Sequence, residues 1–185
     1  MKKAIIGILT VLLLQITTDV SAQTAYLSDI VVTNTRDHLL LYFTVNGCFT
    51  PEMNAAIDSG IETTFTFFVK LYEKRRLLWN RELADLVLYH HIKYDNLKGT
   101  YEIRLSEENG KKATVNNFAQ AKKLMADVVA LKVAPMDKMT KGKSYQVQMK
   151  AQLDEIKLPF YLHHVLFFLS LWNFATDWYA VDFKY

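Results

Sequence analysis

The strongest pattern in the chain is the alternation of apolar and polar residues, which predicts β-strands whose two faces meet different surroundings. It is clearest in residues 145–153, where Tyr, Val, Met, Ala and Leu alternate with Gln and Lys. Residues 61–72 show the same pattern, with apolar side chains at Phe65, Phe67, Val69 and Leu71. Further β-rich runs predict strands at residues 25–33, 39–46, 84–94, 100–105, 128–133 and 176–185.

Two shorter segments have the features of helices. Thr50 suits an N-cap, Pro51 suits the first helical position, and Gly60 suits the left-handed residue that ends a helix. After Asn117 the apolar residues recur at spacings of three and four, which is the helical period. We therefore expect one helix after Thr50 and a second helix after Asn117.

A nearly uninterrupted apolar stretch begins at Tyr161 and ends at Phe174. A helix that is apolar around most of its circumference normally lies in a protein core, and we favour that location. The stretch is shorter than the roughly 20 apolar residues that a membrane-spanning helix needs. Contact with a lipid surface is the alternative, although the Lys and Arg residues that usually accompany such contact are missing from its polar face.

Long alternating strands, short turns and a few inserted helices predict a mainly β fold of the α+β type. We expect an antiparallel β-sandwich, Ig-like in general architecture, with two or three short helices. The sequence contains no internal repeat, low-complexity segment or linker. Residues 23–185 are therefore predicted to form a single domain.

The first 22 residues have the features of a secretory signal peptide, which would precede the domain as a helix. Lys2 and Lys3 supply the positive start, and an apolar run follows over residues 4–14. Small residues then occupy the positions that signal peptidase reads, which predicts cleavage between Ala22 and Gln23. We expect the mature protein in the periplasm. Alternating aromatic residues at the C-terminus leave outer-membrane association as the alternative location.

Net charge gives little indication of a partner. The chain has 22 Lys and Arg residues against 19 Asp and Glu residues, a net charge of +3. The predicted signal peptide carries two lysines and one aspartate, so the mature chain has a net charge of +2. So small an excess gives no reason to expect nucleic acid or an anionic surface as the partner.

Cysteine usage adds one further expectation. Cys48 is the only cysteine of the chain, so an internal disulfide cannot form even in an oxidising compartment. Its apolar surroundings predict a buried and inert thiol rather than a reactive one.

The sequence shows no catalytic constellation. It has no G-x-S-x-G nucleophile motif, no paired carboxylates of the glycosidase kind and no phosphate-binding glycine loop. The sequence has two histidine pairs, at residues 90–91 and 163–164. Neither pair can chelate a metal by itself, because neighbouring strand residues point to opposite faces. We therefore predict no catalytic residue, cofactor or metal site. The alternative is an enzyme or metal-binding protein whose site combines His90 or His91 with distant residues.

Two clusters suggest a surface for an unknown partner. One is the basic turn at residues 74–76 with the tryptophan that follows it, and the other is the aromatic C-terminal region. The predicted partner surface comprises Lys74, Arg75, Arg76, Trp79, Trp172 and Trp178.

Several segments, in their order along the chain, resemble the bacterial domain-of-unknown-function family DUF4390. These segments are residues 56–61, 72–76, 91–97, 100–103, 119–125, 145–147, 153–159, 171–174 and 176–179. The resemblance covers nearly all of the mature chain. It implies a compact exported domain of Gram-negative-type bacteria, with no established activity and a link to envelope signalling.

The favoured hypothesis is a non-enzymatic periplasmic domain that binds a protein or another component of the cell envelope. It rests on the signal peptide, the sandwich pattern and the missing catalytic motifs. The competing hypotheses are the His90 or His91 site and peripheral membrane association through the apolar stretch.

Overall fold

The computed structural model describes residues 25–154 and 174–185. The strands are β1 (Tyr26–Asn34), β2 (His38–Asn46), β3 (Thr63–Glu73), β4 (Arg81–Asp95), β5 (Thr100–Leu105), β6 (Lys112–Val115), β7 (Asp127–Pro135), β8 (Ser144–Leu153) and β9 (Tyr179–Lys184). The helices are α1 (Pro51–Asp58) and α2 (Phe118–Ala126), and short 3-10 turns span Ser106–Glu108 and Met136–Lys138. The predicted signal peptide lies outside the described residues, as does the apolar stretch from Tyr161 up to residue 173.

The strands form two antiparallel sheets. One sheet has three strands in the order β1-β2-β7, and the other has six strands in the order β6-β5-β4-β3-β8-β9. Every strand pairing within these sheets is antiparallel. The arrangement confirms the predicted mainly β fold, an antiparallel β-sandwich with two helices among the described residues.

The core lies between the two sheets. The apolar positions of β3 and β8 that the alternation predicts to face inward are all buried. Phe43 of the small sheet meets Phe67 of the large sheet edge-on, with 5.8 Å between ring centroids. Because alternate residues of a strand point to opposite faces, the same alternation places Gln and Lys of β8 on the outer face.

Both helices begin as the sequence predicts. The hydroxyl of Thr50 accepts a hydrogen bond from the backbone N–H of Met53 at 3.2 Å, and Pro51 is the first residue of α1. The side chain of Asn117 accepts hydrogen bonds from the backbone N–H groups of Ala119 and Gln120 at the start of α2. These caps satisfy backbone donors that have no partner within a helix.

Two boundaries differ from the prediction. The sequence predicts no strand at residues 112–115, where the structure has the edge strand β6, because its two half-buried apolar residues, Ala113 and Val115, are too few to establish an alternation. The last strand begins at Tyr179 rather than at residue 176. The hydroxyl of Thr176 accepts a hydrogen bond from the backbone N–H of Ala151 and so takes the place of a backbone ladder bond.

Within residues 25–154 and 174–185, no helix is both long and apolar enough to cross a membrane.

Candidate functional site

The hairpin of β3 and β4 ends in the loop of residues 74–80, which we call the hairpin tip. Strand pairing continues to the base of this loop, where Glu73 lies opposite Arg81. The backbone N–H of Lys74 donates to the carbonyl of Ser144 at 2.8 Å and ties the loop to β8. The side chain of Asn80 accepts a hydrogen bond from the backbone N–H of Arg75 at 3.3 Å. The hairpin tip therefore projects from a well-paired end of the large sheet.

Three consecutive apolar side chains of the hairpin tip lie in solvent. Leu77 is 92% exposed, Leu78 is 68% exposed and Trp79 is 93% exposed. Single exposed apolar residues are ordinary on protein surfaces, whereas contiguous ones mark interaction sites. Removing a Leu side chain from water contributes about 1.5–3 kcal/mol, so this surface gains free energy when a partner covers it.

Cations surround a carboxylate at the base of the hairpin tip. The ammonium of Lys143 lies 2.9 Å from Oε1 of Glu73, and the guanidinium groups of Arg75 and Arg81 each lie 4.0 Å from that carboxylate. The hydrogen bond from Lys143 lowers the pKa of Glu73, helped by the charges of all three cations and opposed by burial. Glu73 thus neutralises part of the positive charge and holds the cations near the hairpin tip.

The second carboxylate at this end of the sheet is Asp182 of β9. Its Oδ2 accepts a hydrogen bond from Lys74 at 2.7 Å, and its Oδ1 accepts one from Gln146 at 2.8 Å. These bonds, that of Lys74 above all, lower the pKa of Asp182. Arg76 forms no ion pair with any residue of the described ranges, so its charge faces the surroundings.

An open cavity of about 590 Å³ lies beside the hairpin tip. The leucines and the cations share this cavity, so apolar surface and positive charge stand next to each other there. It is lined by Glu73, Lys74, Arg75, Arg76, Leu77, Leu78, Arg81, Thr140 and Lys143.

The structure brings together four of the six residues predicted for the partner surface, and all four lie on the hairpin tip: Lys74, Arg75, Arg76 and Trp79. Trp178 lies elsewhere, on the outer face of the large sheet, with its ring 6.4 Å from that of Phe68. It directly precedes β9 and is five residues from Phe183, which pairs with Tyr145 near the hairpin tip, so about 17 Å of extended chain separates the two. Trp172 lies outside the described residues.

Sequence reasoning missed several residues of this surface. Leu77 and Leu78 had a visible signal, since they are a pair of leucines in a polar loop between two strands. Lys143 and Asp182 had none, because Lys143 directly precedes β8, Asp182 lies in β9, and both meet the hairpin only through sheet pairing.

A second cluster lies inside the sandwich, where β4 passes beneath α2. His90 is fully buried, and its Nδ1 donates to the carbonyl of Met125 at 3.0 Å. Its Nε2 lies 2.8 Å from Oε1 of Glu107, and its ring packs 4.5 Å from that of Phe67. We call His90 and Glu107 the buried pair. Because both ring nitrogens have partners, this arrangement fixes the histidine in place rather than presenting it to a substrate.

The carboxylate of the buried pair borders a partly enclosed cavity of about 420 Å³, mostly apolar in its lining. Burial raises the pKa of Glu107, but the hydrogen bond and charge of His90 outweigh it, so the pKa lies below its ordinary value. Leu124 of α2 and Val129 of β7 also line the cavity. His90 itself has no exposed surface there.

His91 points to the opposite face of β4, as the alternation predicts. Its Nδ1 lies 2.8 Å from the hydroxyl of Thr64, and its ring stacks on that of Tyr89 with 6.4 Å between centroids. Burial lowers the pKa of His91, and the neighbouring charge of Arg104 lowers it further. The two histidines therefore belong to different faces and do not form one site.

The other candidate chemistries concern metals and the thiol. No group of three or more His, Cys, Asp or Glu side chains converges as a metal site within the part of the chain that the structure describes. Cys48 is 2% exposed, which confirms the predicted burial. Burial raises the pKa of its thiol to about 12, so the nucleophilic thiolate is scarce at neutral pH.

The sequence matches a family model described as "Domain of unknown function (DUF4390)" over residues 22–182. Because this match covers nearly the whole chain, the chain belongs to that family, which confirms the resemblance. Comparisons with curated proteins and with solved structures found no match.

Proposed function

We propose that the protein is an exported, non-enzymatic binding domain of the bacterial cell envelope that contacts its partner through the hairpin tip. One observation carries the proposal: three contiguous apolar side chains are exposed among cations on a firmly paired hairpin. Exposed apolar surface is unfavourable in water and offers binding free energy to a partner. The buried histidine and the raised pKa of the Cys48 thiol favour binding over catalysis at the residues that first suggest chemistry.

The signal peptide supports the location. Cleavage between Ala22 and Gln23 would release a chain that begins three residues before β1. Fractionation of cells that express the full chain tests this step, with the N-terminus of the product read by mass spectrometry. We expect the protein in the periplasmic fraction, starting at Gln23. A full-length cytoplasmic protein would contradict the proposal.

Co-sedimentation of the purified mature chain with washed envelope vesicles of a Gram-negative bacterium tests the binding function. We expect the wild type to sediment and the variant Trp79→Ser to sediment much less. Leu97 offers a matched control, because it is 99% exposed at the β4–β5 turn, at the other end of β4. Leu97→Ser should sediment like the wild type. Equal loss in both variants would show that the hairpin tip is not the contact surface.

A further inference from the structure

We infer that the hairpin tip docks on an anionic lipid surface, with its apolar side chains in the membrane interface and its cations on the lipid phosphates. The inference rests on the proposed function and names the chemistry of the partner. It concerns residues 74–80, not the apolar stretch considered from the sequence.

The first argument is the order of side chains along the hairpin tip. Leu77, Leu78 and Trp79 occupy the middle of the loop, while Lys74, Arg75 and Arg76 precede them and Arg81 follows. Trp is enriched at membrane interfaces, where its apolar ring and its polar N–H both find suitable surroundings. When the apolar side chains insert below the headgroups, basic residues beside them lie at the level of the lipid phosphates.

The second argument is local charge. Among the described residues that line the cavity or pair with its lining, five are cations and two are carboxylates, Glu73 and Asp182. The net charge of the whole chain is small, so the positive charge is concentrated rather than general. An anionic leaflet attracts such a cluster, and the attraction adds to the burial of the apolar side chains. Neither signal alone gives stable membrane binding, whereas the two together do.

The third argument is shape and support. The apolar side chains stand on a projecting loop, which a fluid interface can accept without a matching pocket. The hydrogen bonds from Lys74 to Ser144 and from Arg75 to Asn80 hold the loop in place before it binds. Less conformational entropy is therefore lost on binding than for an unstructured segment.

The turn between β4 and β5 contains an exposed leucine that lacks neighbouring exposed apolar side chains and excess positive charge. Leu97 is 99% exposed, but it stands alone, and the neighbouring Lys98 is paired with Asp95 at 3.2 Å. The turn therefore has one exposed apolar side chain and balanced charge, and Leu97 serves as the internal control for the hairpin tip.

The experiment uses the purified mature chain and protein-free vesicles of equal parts phosphatidylglycerol and phosphatidylcholine, with pure phosphatidylcholine vesicles as the neutral arm. We expect sedimentation with the anionic vesicles, weak sedimentation with the neutral ones, and a decline as salt screens the charges. Trp fluorescence should shift to the blue on binding in the wild type, and Trp79→Phe should remove most of that shift.

Three variants measure the contributions. Trp79→Ser should weaken binding about tenfold. Replacing Arg75 and Arg76 together by Gln should weaken it about 30-fold, the effect of two interfacial charges. Leu97→Ser should leave it unchanged. Thermal unfolding of each variant shows that the fold is intact, so lost binding reports on the surface.

Each remaining outcome overturns the inference in an identifiable way. Sedimentation with envelope vesicles but not with protein-free vesicles would indicate a protein partner and leave the proposed function intact. Full competition by inorganic phosphate would indicate a site for a free anion. A dimer that the hairpin-tip variants dissociate would indicate a second copy of this chain. Absence of binding to envelope vesicles and to protein-free vesicles alike would overturn both the inference and the proposed function.

Discussion

The start of β4 and its interior place polar and apolar side chains in opposite ways. At its start, beside Arg81, leucines and a tryptophan stand in water among cations. Nine residues later, about 30 Å along the strand, the imidazole of His90 is sealed from water between the sheets and α2. Each arrangement reverses the ordinary distribution of side chains.

The difference lies in where each group finds its partners. His90 has a carbonyl on one nitrogen, a carboxylate on the other and an aromatic ring against its face. A buried polar group that is fully hydrogen-bonded stabilises the fold, and its loss leaves its partners unsatisfied. The apolar side chains of the hairpin tip are largely uncovered by the described chain. We therefore expect changes in the buried pair to affect folding and changes in the hairpin tip to affect binding.

Replacing His90 by Ala should have the largest effect. It breaks the buried pair, leaves the carboxylate of Glu107 without its donor and opens a cavity beside Phe67. The cavity and the lost hydrogen bonds together should lower the free energy of unfolding by about 2–5 kcal/mol. Urea unfolding followed by circular dichroism measures the change.

The matched control for this prediction is His91→Ala. This neighbour lies on the outer face and is only half-buried, so the free energy of unfolding should fall by less than about 1 kcal/mol. Equal losses in the two variants would break the contrast between the faces of β4. Where the His90 variant is still folded, its sedimentation with envelope vesicles should match that of the wild type.

A smaller loss is expected when the cap of α2 is removed. Asn117→Ala deletes the side chain that accepts two backbone hydrogen bonds at the start of this helix. We expect the free energy of unfolding to fall by about 1 kcal/mol, because uncapped backbone donors are then left to solvent. Gln120→Ala, on the exposed side of the same helix, should change it little. A loss of similar size in both variants would show that the cap does not stabilise the helix.

Acid should destabilise the protein through carboxylates of both regions. Glu73 and Glu107 have pKa values below the ordinary 4.5, so the folded state favours their charged forms. Their stabilising contribution is complete above pH 4.5 and is lost as the pH falls through their folded pKa values. Urea midpoints measured from neutral pH to about pH 3 should therefore fall, and Glu73→Gln should make the fall shallower. If the urea midpoint of that variant fell with pH as steeply as that of the wild type, Glu73 would not contribute to the acid sensitivity.

Periodicity predicted most of the fold because burial in a two-sheet sandwich is itself periodic. The alternation from Phe65 to Leu71 identified β3, and the cap residues Thr50 and Asn117 located both described helices. Periodicity missed β6, whose four residues are nowhere deeply buried. Its apolar face consists of Ala113 and Val115 alone, and two half-buried residues are too few to reveal a strand by alternation.

The candidate site was only partly predictable, for a related reason. The basic residues and Trp79 are adjacent in sequence, so a local pattern identified them. Lys143 and Glu73 are 70 residues apart and meet through the pairing of β3 with β8. The small net charge of the chain argued against an anionic partner, because a sum over the sequence does not show how sheet pairing gathers cations at one end.

The smallest effect on stability should come from the hairpin tip itself. Replacing Leu77, Leu78 and Trp79 together by Ser removes three side chains that are mostly in solvent, so the folded chain loses few contacts. We expect the free energy of unfolding to stay within about 0.5 kcal/mol of the wild type, while binding to envelope vesicles is lost. A fall of several kcal/mol would mean that these side chains pack within the folded protein. In that case their exposure would not be evidence of a binding surface, and the contrast between the hairpin tip and the buried pair would disappear.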